Sequence, residues 1–180
     1  MLQITLFAVA AIFSFNSFGQ VYYSCNPEIV IAAENQMESF LKTIPANLWQ
    51  NYGLKNQEEL DAVNVGSPLA VYHIRDGELV FGNSWRVPII VDDNYVALFT
   101  VVEETEGSYK IVDFGASVLA AEIDQVAKTI DVIGILRVYE LREDFLMAIN
   151  SSGLEEFVSI SRQGKPSFSL EKIIGLIEHP

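Results

Sequence analysis

Apolar residues run almost unbroken from Ile4 to Phe15, then give way to the polar and small residues Asn16-Ser17-Phe18-Gly19-Gln20. That is the layout of a secretory signal peptide with a cleavage site near Gly19–Gln20. The run is too short to cross about 30 Å of hydrocarbon as a helix, which takes roughly 20 apolar residues. Residues 1–19 are therefore expected to be removed on export. Residues 20–180 would remain as a single secreted or periplasmic domain that does not associate with membrane. The leader carries no Lys or Arg, so its positive charge comes from the amino terminus alone. A buried N-terminal segment of a cytosolic protein is the rival reading.

Beyond the leader the pattern switches between two periods. Asn26-Pro27-Glu28 opens a helix: Asn caps it, Pro suits its first position, and Glu favours the positive end of the dipole. Ile29, Ala33, Met37, Phe40, Leu41 and Ile44 recur at helical spacing until Pro45 ends the run. A helical turn with Leu48, Trp49 and Tyr52 follows. Asn56-Gln57-Glu58-Glu59 then reads as a capping box that starts a short helix through Val63.

After Gly66-Ser67-Pro68 the period becomes two. Strands are expected over Leu69 to Arg75, Glu78 to Phe81, Trp85 to Val91, Tyr95 to Glu103 and Ser108 to Phe114. Asp76-Gly77, Asp92-Asp93-Asn94 and Glu104 to Gly107 are the turns. Pro88 marks its strand as an edge or a bulge. Helical spacing returns over Ser117 to Ile130, with Leu119, Ile123, Val126 and Ile130 as the apolar stripe. Ile133 to Leu141, Phe145 to Ile149 and Glu156 to Ser161 read as three further strands, with turns at Asn150-Ser151-Ser152-Gly153 and Gln163-Gly164. Leu170, Ile173, Ile174 and Ile177 make a last amphipathic helix.

This order predicts an α+β fold: an antiparallel β-meander sheet with helices packed on one face. A faint echo links the segment from Leu69 to Asp76 with the segment from Leu136 to Glu143. Two helix-plus-meander units, over 66–115 and 132–162, would explain it. So would the alternation that any two half-buried strands share.

The chain has 11 Lys and Arg against 24 Asp and Glu, a net charge of −13. A surface this acidic repels phosphate backbones and anionic lipid, so nucleic acid is not an expected partner. Solubility alone, or a cationic partner, accounts for the charge. About 160 residues after the leader can bury roughly 68–70% of their unfolded surface without a metal or disulfide. Cys25 is the single cysteine and cannot form an internal bridge. Tyr22-Tyr23-Ser24 before it is not a lipobox, so an unmodified thiol is expected.

The search for catalytic chemistry is mostly negative. A cysteine nucleophile needs a His, and the chain has only mid-strand His73 and His179 near its end. There is no Gly-x-Ser-x-Gly elbow, no zinc-ligand cluster and no glycine-rich loop opening a helix. Asp92-Asp93-Asn94, Glu103-Glu104-Glu106 and Glu155-Glu156 lack the spacing that wraps oxygens around calcium, and read as solvated turns. A glycosidase would need two carboxylates about 5–9 Å apart, and no motif nominates a pair. No catalytic residue, metal or cofactor is expected.

The binding candidates are Trp85 and Arg86, at an expected loop-to-strand junction after Gly82-Asn83-Ser84, together with His73 and Arg75. An exposed Trp beside an Arg is an interface anchor. The competing reading puts Trp85 over the core, where Trp is mostly found.

Gly66-Ser67-Pro68-Leu69-Ala70-Val71-Tyr72, followed by Trp85-Arg86-Val87-Pro88-Ile89-Ile90-Val91-Asp92, resembles a pattern in uncharacterised secreted bacterial proteins. In that pattern a Gly-x-Pro-x-x-Val-Tyr strand precedes a Trp-x-x-Pro strand and a hairpin. The helix-then-meander layout is similar to cystatin-like and propeptide-like modules of exported proteases, and the leader to those of Bacteroidota. The resemblance spans about Gly66 to Gly115 and implies no catalytic residues. Missing chemistry and a half-covered sheet lead to one expectation: a non-catalytic extracytoplasmic binding module. It would act as an inhibitor or propeptide-like regulator of a peptide or protein partner, across an open sheet face or edge or the Trp85 loop. The alternatives are a small secreted carboxylate-dependent hydrolase and a periplasmic immunity-type protein.

Overall fold

A computed structural model describes residues 26–150, 152–153, 155–162 and 164–179. The expected leader, Cys25, and Ser151 and Gln163 of the expected turns lie outside the described residues. Asn26 caps the first helix as its chemistry requires, its Oδ1 accepting from the Glu28 amide at 3.0 Å. The helices are α1 (Pro27–Leu41), α2 (Gln57–Asp61), α3 (Ser117–Ala127) and α4 (Leu170–Glu178), with a 3₁₀ turn over Ala46–Tyr52. Asn56 caps α2, and Glu59 reaches back to the Lys55 amide at 2.7 Å.

The strands are β1 (Asn64–Val65), β2 (Leu69–Arg75), β3 (Glu78–Val91), β4 (Asn94–Thr105), β5 (Ser108–Gly115), β6 (Asp131–Val138), β7 (Glu143–Ile149), β8 (Glu155–Ser159) and β9 (Ser167–Phe168). They form one sheet in the order β5-β4-β3-β2-β6-β7-β8-β9, with β1 beside β3. The fold is α+β, and every pairing is antiparallel except β2 with β6. Two meanders therefore lie side by side, joined through their first strands. The chain returns from edge strand β5 to central β6 by way of α3. Tyr72 faces Leu136 across the β2–β6 pair. The sequence echo would match Leu69 with Leu136 instead, three residues away. Because side chains alternate along a strand, residues matched in the echo point to opposite faces: Tyr72 is buried and Tyr139 is 68% exposed.

Two expectations are corrected. Helices do not share one face. Leu98 packs in one apolar cluster with Ile123 and Val126 of α3. Its neighbours Ala97 and Phe99 pack in another with Ile29 and Ala33 of α1 and Ile173 of α4. Successive strand residues point to opposite faces, so α1 and α4 cover one side and α3 the other. The Asp124 side chain, accepting from the Tyr95 amide at 3.3 Å, ties α3 to β4.

The second correction is that Glu78 to Phe81 and Trp85 to Val91 are one strand of 14 residues, not two. Gly82-Asn83-Ser84 is a bulge within it. Ala70 pairs with Trp85 but Tyr72 with Phe81, so β3 covers the step with two more residues than β2. Asn83 takes the strained turn at φ 52°. Pro88 is tolerated inside the sheet because its carbonyl side faces Gly66, whose amide donates to the Pro88 oxygen at 2.8 Å. The ladder bond that Pro88 cannot donate is lost on that same side, opposite Gly66 just past the end of β1.

A side chain covers part of the β5 edge. Gln36 of α1 donates from Nε2 to the Tyr109 carbonyl at 2.9 Å and accepts from the Ile111 amide at 3.1 Å. It stands in for the strand that would otherwise pair there. Gln36→Ala will cost about 1–2 kcal/mol by leaving both groups unpaired, and chemical denaturation measures it. The same variant will aggregate faster than wild type on warming, read by light scattering.

Candidate functional site

Side chains on the α3 face of the sheet fall into two zones. Leu69, Leu98, Ile135, Leu146 and Val158 lie in the cluster beneath α3. The helix has 11 residues, roughly 16 Å at 1.5 Å per residue, and it stops short of the far end of the strands. There Val71, His73 and Arg75 of β2, Gly82, Ser84 and Arg86 of β3, Thr100 and Val102 of β4, and Arg137 with Tyr139 line a groove of about 690 Å³. Strand register assembles it: Arg86 is opposite Thr100, Thr100 opposite Asp113, His73 opposite Arg137, and Arg137 opposite Asp144.

Three of the chain's five arginines, Arg75, Arg86 and Arg137, therefore meet in one groove of an acidic protein. Arg137 is committed, donating to both carboxylate oxygens of Asp144 at 2.9 and 2.8 Å. That fork of hydrogen bonds holds its pKa above the ordinary value against the opposing effect of burial. Arg86 is less compensated. Its side chain is 16% exposed and donates to the Thr100 hydroxyl, while the nearest carboxylate, on 69%-exposed Asp113, is 3.9 Å away. Burial and then repulsion from Arg137 pull its pKa below the ordinary value, although Asp113 and Asp144 oppose them. No described residue forms an ion pair with Arg75 at the exposed end of β2.

The bulge in β3 shapes the floor. A Cβ at Gly82 would lie 3.0 Å from the Val71 carbonyl oxygen and 3.6 Å from His73 Nδ1. Glycine at this position lets the two strands approach and keeps the groove open between them.

Of the four residues singled out from sequence, Arg86, His73 and Arg75 share this groove. Trp85 does not. It is 3% exposed, on the opposite side of β3, with its ring 5.0 Å from Phe81 and 5.5 Å from Tyr109 by centroid. The expected loop is a continuous strand, so alternation sends Trp85 into the core as it sends Arg86 out of it. Sequence reasoning missed Arg137, Tyr139, Ser84 and Thr100. The signal for Arg137 was present, a cation at an outward position of a half-buried strand, but nothing local places β6 beside β2.

Both carboxylates beside the groove are engaged by guanidinium groups. Glu155, whose carboxyl burial pushes up, does not line it. Among the described residues no three His, Cys, Asp or Glu side chains gather as metal ligands, and no helix is long and apolar enough to cross a membrane. No protein family model, curated protein or solved structure matches this chain.

Proposed function

We propose that this chain is a non-catalytic extracytoplasmic binding module that holds a peptide or protein partner in the groove left open beside α3. An inhibitor or propeptide-like regulator would work in this way. One observation carries the reading: polar and cationic side chains from β2, β3, β4 and β6 converge on an open concave surface. Gln36 takes up the Tyr109 carbonyl and the Ile111 amide on the β5 edge, which favours the sheet face over that edge as the binding surface. Export is part of the proposal and rests on the Ile4 to Phe15 apolar run.

Two measurements test this. Mass spectrometry of protein recovered from periplasm or medium is expected to find an N-terminus near Gln20. Intact Met1 on protein from the cell interior would sink the export half. For the groove, tagged wild-type protein is used to capture partners from the same compartment, beside Ser84→Tyr, which puts a bulky ring into the groove, and Val118→Ser, an exposed change on α3. A partner kept by Val118→Ser and lost by Ser84→Tyr supports the reading. Equal capture by all three overturns it.

A further inference from the structure

The groove carries more cationic charge than its own carboxylates answer. Asp144 takes both hydrogen bonds of the Arg137 fork, Asp113 comes no nearer to Arg86 than 3.9 Å and is largely in water, and no described residue forms an ion pair with Arg75. Arg86 is the informative residue. A guanidinium offers five donors, and a mostly desolvated one is costly unless its donors and charge are met. The hydrogen bond to Thr100 meets part of that requirement. Ser84, Thr100, Tyr139 and His73 line the same groove and add hydrogen-bonding groups, and Val71 and Val102 add apolar surface.

Resting on the groove as the binding surface, we propose that its ligand is an acidic polypeptide segment. One Glu or Asp carboxylate of that segment is captured at Arg86 and a second at Arg75, which lies six residues along β2 from the Leu69 that pairs with Arg86. The chain's net charge of −13 sets the size of the ligand. Charges separated by more than a Debye length, about 8 Å at physiological salt, are largely screened. A short segment with one or two carboxylates feels the arginines. A long polyanion such as nucleic acid extends past the groove onto acidic surface and is repelled. The groove is open rather than enclosed, which suits an extended segment passing through. Arginine matches a carboxylate two donors to two oxygens, which gives orientation as well as attraction.

The test uses a fluorescein-labelled, C-terminally amidated seven-residue peptide with two glutamates among alanines and serines, and the same peptide with glutamines. Anisotropy is expected to show the glutamate peptide binding about tenfold or more tighter. Its affinity should fall as salt rises from about 0.1 to 1 M, over which the Debye length shrinks from about 10 to 3 Å. Arg86→Gln and Arg75→Gln are each expected to weaken it about fivefold or more. Arg75 is exposed, so its variant stays informative if Arg86→Gln fails to fold. Equal affinity for the two peptides overturns the proposal, as does affinity that follows a free C-terminus instead of the glutamates. Tighter binding to an oligonucleotide also overturns it. If Ser84→Tyr abolishes partner capture while the glutamate peptide and both arginine variants show no effect, the groove remains the binding surface and only the ligand class fails.

Discussion

Trp85→Ala will destabilise the protein by about 3–5 kcal/mol, the range for truncating a buried aromatic. In a domain of this size the melting temperature should fall by roughly 10 °C. The ring is packed between Phe81 and Tyr109, on the same side of the sheet as Val87 and Val101. Its loss leaves a cavity that strands held in register on both sides cannot close. The urea midpoint of the variant measures the effect. Val118→Ser is the control: that side chain is exposed on α3, and its stability change should be far smaller. A Trp85→Ala protein with an unchanged midpoint would show that the ring is not in the core, and the assignment of sheet faces would go with it.

Glu143→Ala will cost about 3 kcal/mol, from loss of hydrogen bonds to a buried charge. Glu143 is 8% exposed at the start of β7. It accepts from the Ser159 hydroxyl, from Ser161 Oγ at 3.1 Å, and from Arg162 Nε and Nη2 at 3.1 and 2.9 Å. These bonds lock the β7–β8 pair to the loop after it. Burial pushes the Glu143 carboxyl up. The hydrogen bonds from Ser159, Arg162 and Ser161 outweigh that and hold it below its ordinary value of 4.5. Its folded pKa therefore lies under its unfolded one. The associated stability is fully present above about pH 4.5 and is lost as pH falls through the lower folded value. Urea midpoints for wild type and Glu143→Gln should differ most above pH 5, and the gap should narrow as pH falls below 4.5. A gap that stays constant across that range would show that the carboxylate charge contributes nothing.

Much of the secondary structure is legible one segment at a time. Asn26 and Asn56 cap the helices that their positions announce. Asp76-Gly77 turns β2 into β3 with both residues at positive φ, as that dipeptide favours. An error arises where local chemistry was overridden. Gly82-Asn83-Ser84 has turn composition, but pairing with β4 continues through Ser84 and absorbs the extra residues as a bulge. Pro88 has the signature of an edge or a bulge, and it sits where the neighbouring chain leaves the sheet, one residue before a register shift against β4. Both outcomes depend on residues more than ten positions away.

The site divides in the same way. His73, Arg75 and Arg86 could be nominated from a hairpin of contiguous sequence, because a tight turn brings β2 against β3. Arg137 and Tyr139 could not, since the parallel β2–β6 contact forms only after the chain has passed through β3, β4, β5 and α3.

Local patterning was enough to name the helices, most of the strands and the α+β class, because capping, turn geometry and side-chain periodicity act over a few residues. It was not enough to say which side of the sheet each helix covers, that Trp85 and Arg86 part company, or that three arginines share a groove. Those follow from strand order and register. They are set by where the whole apolar surface can be buried at once, and no single segment carries that information.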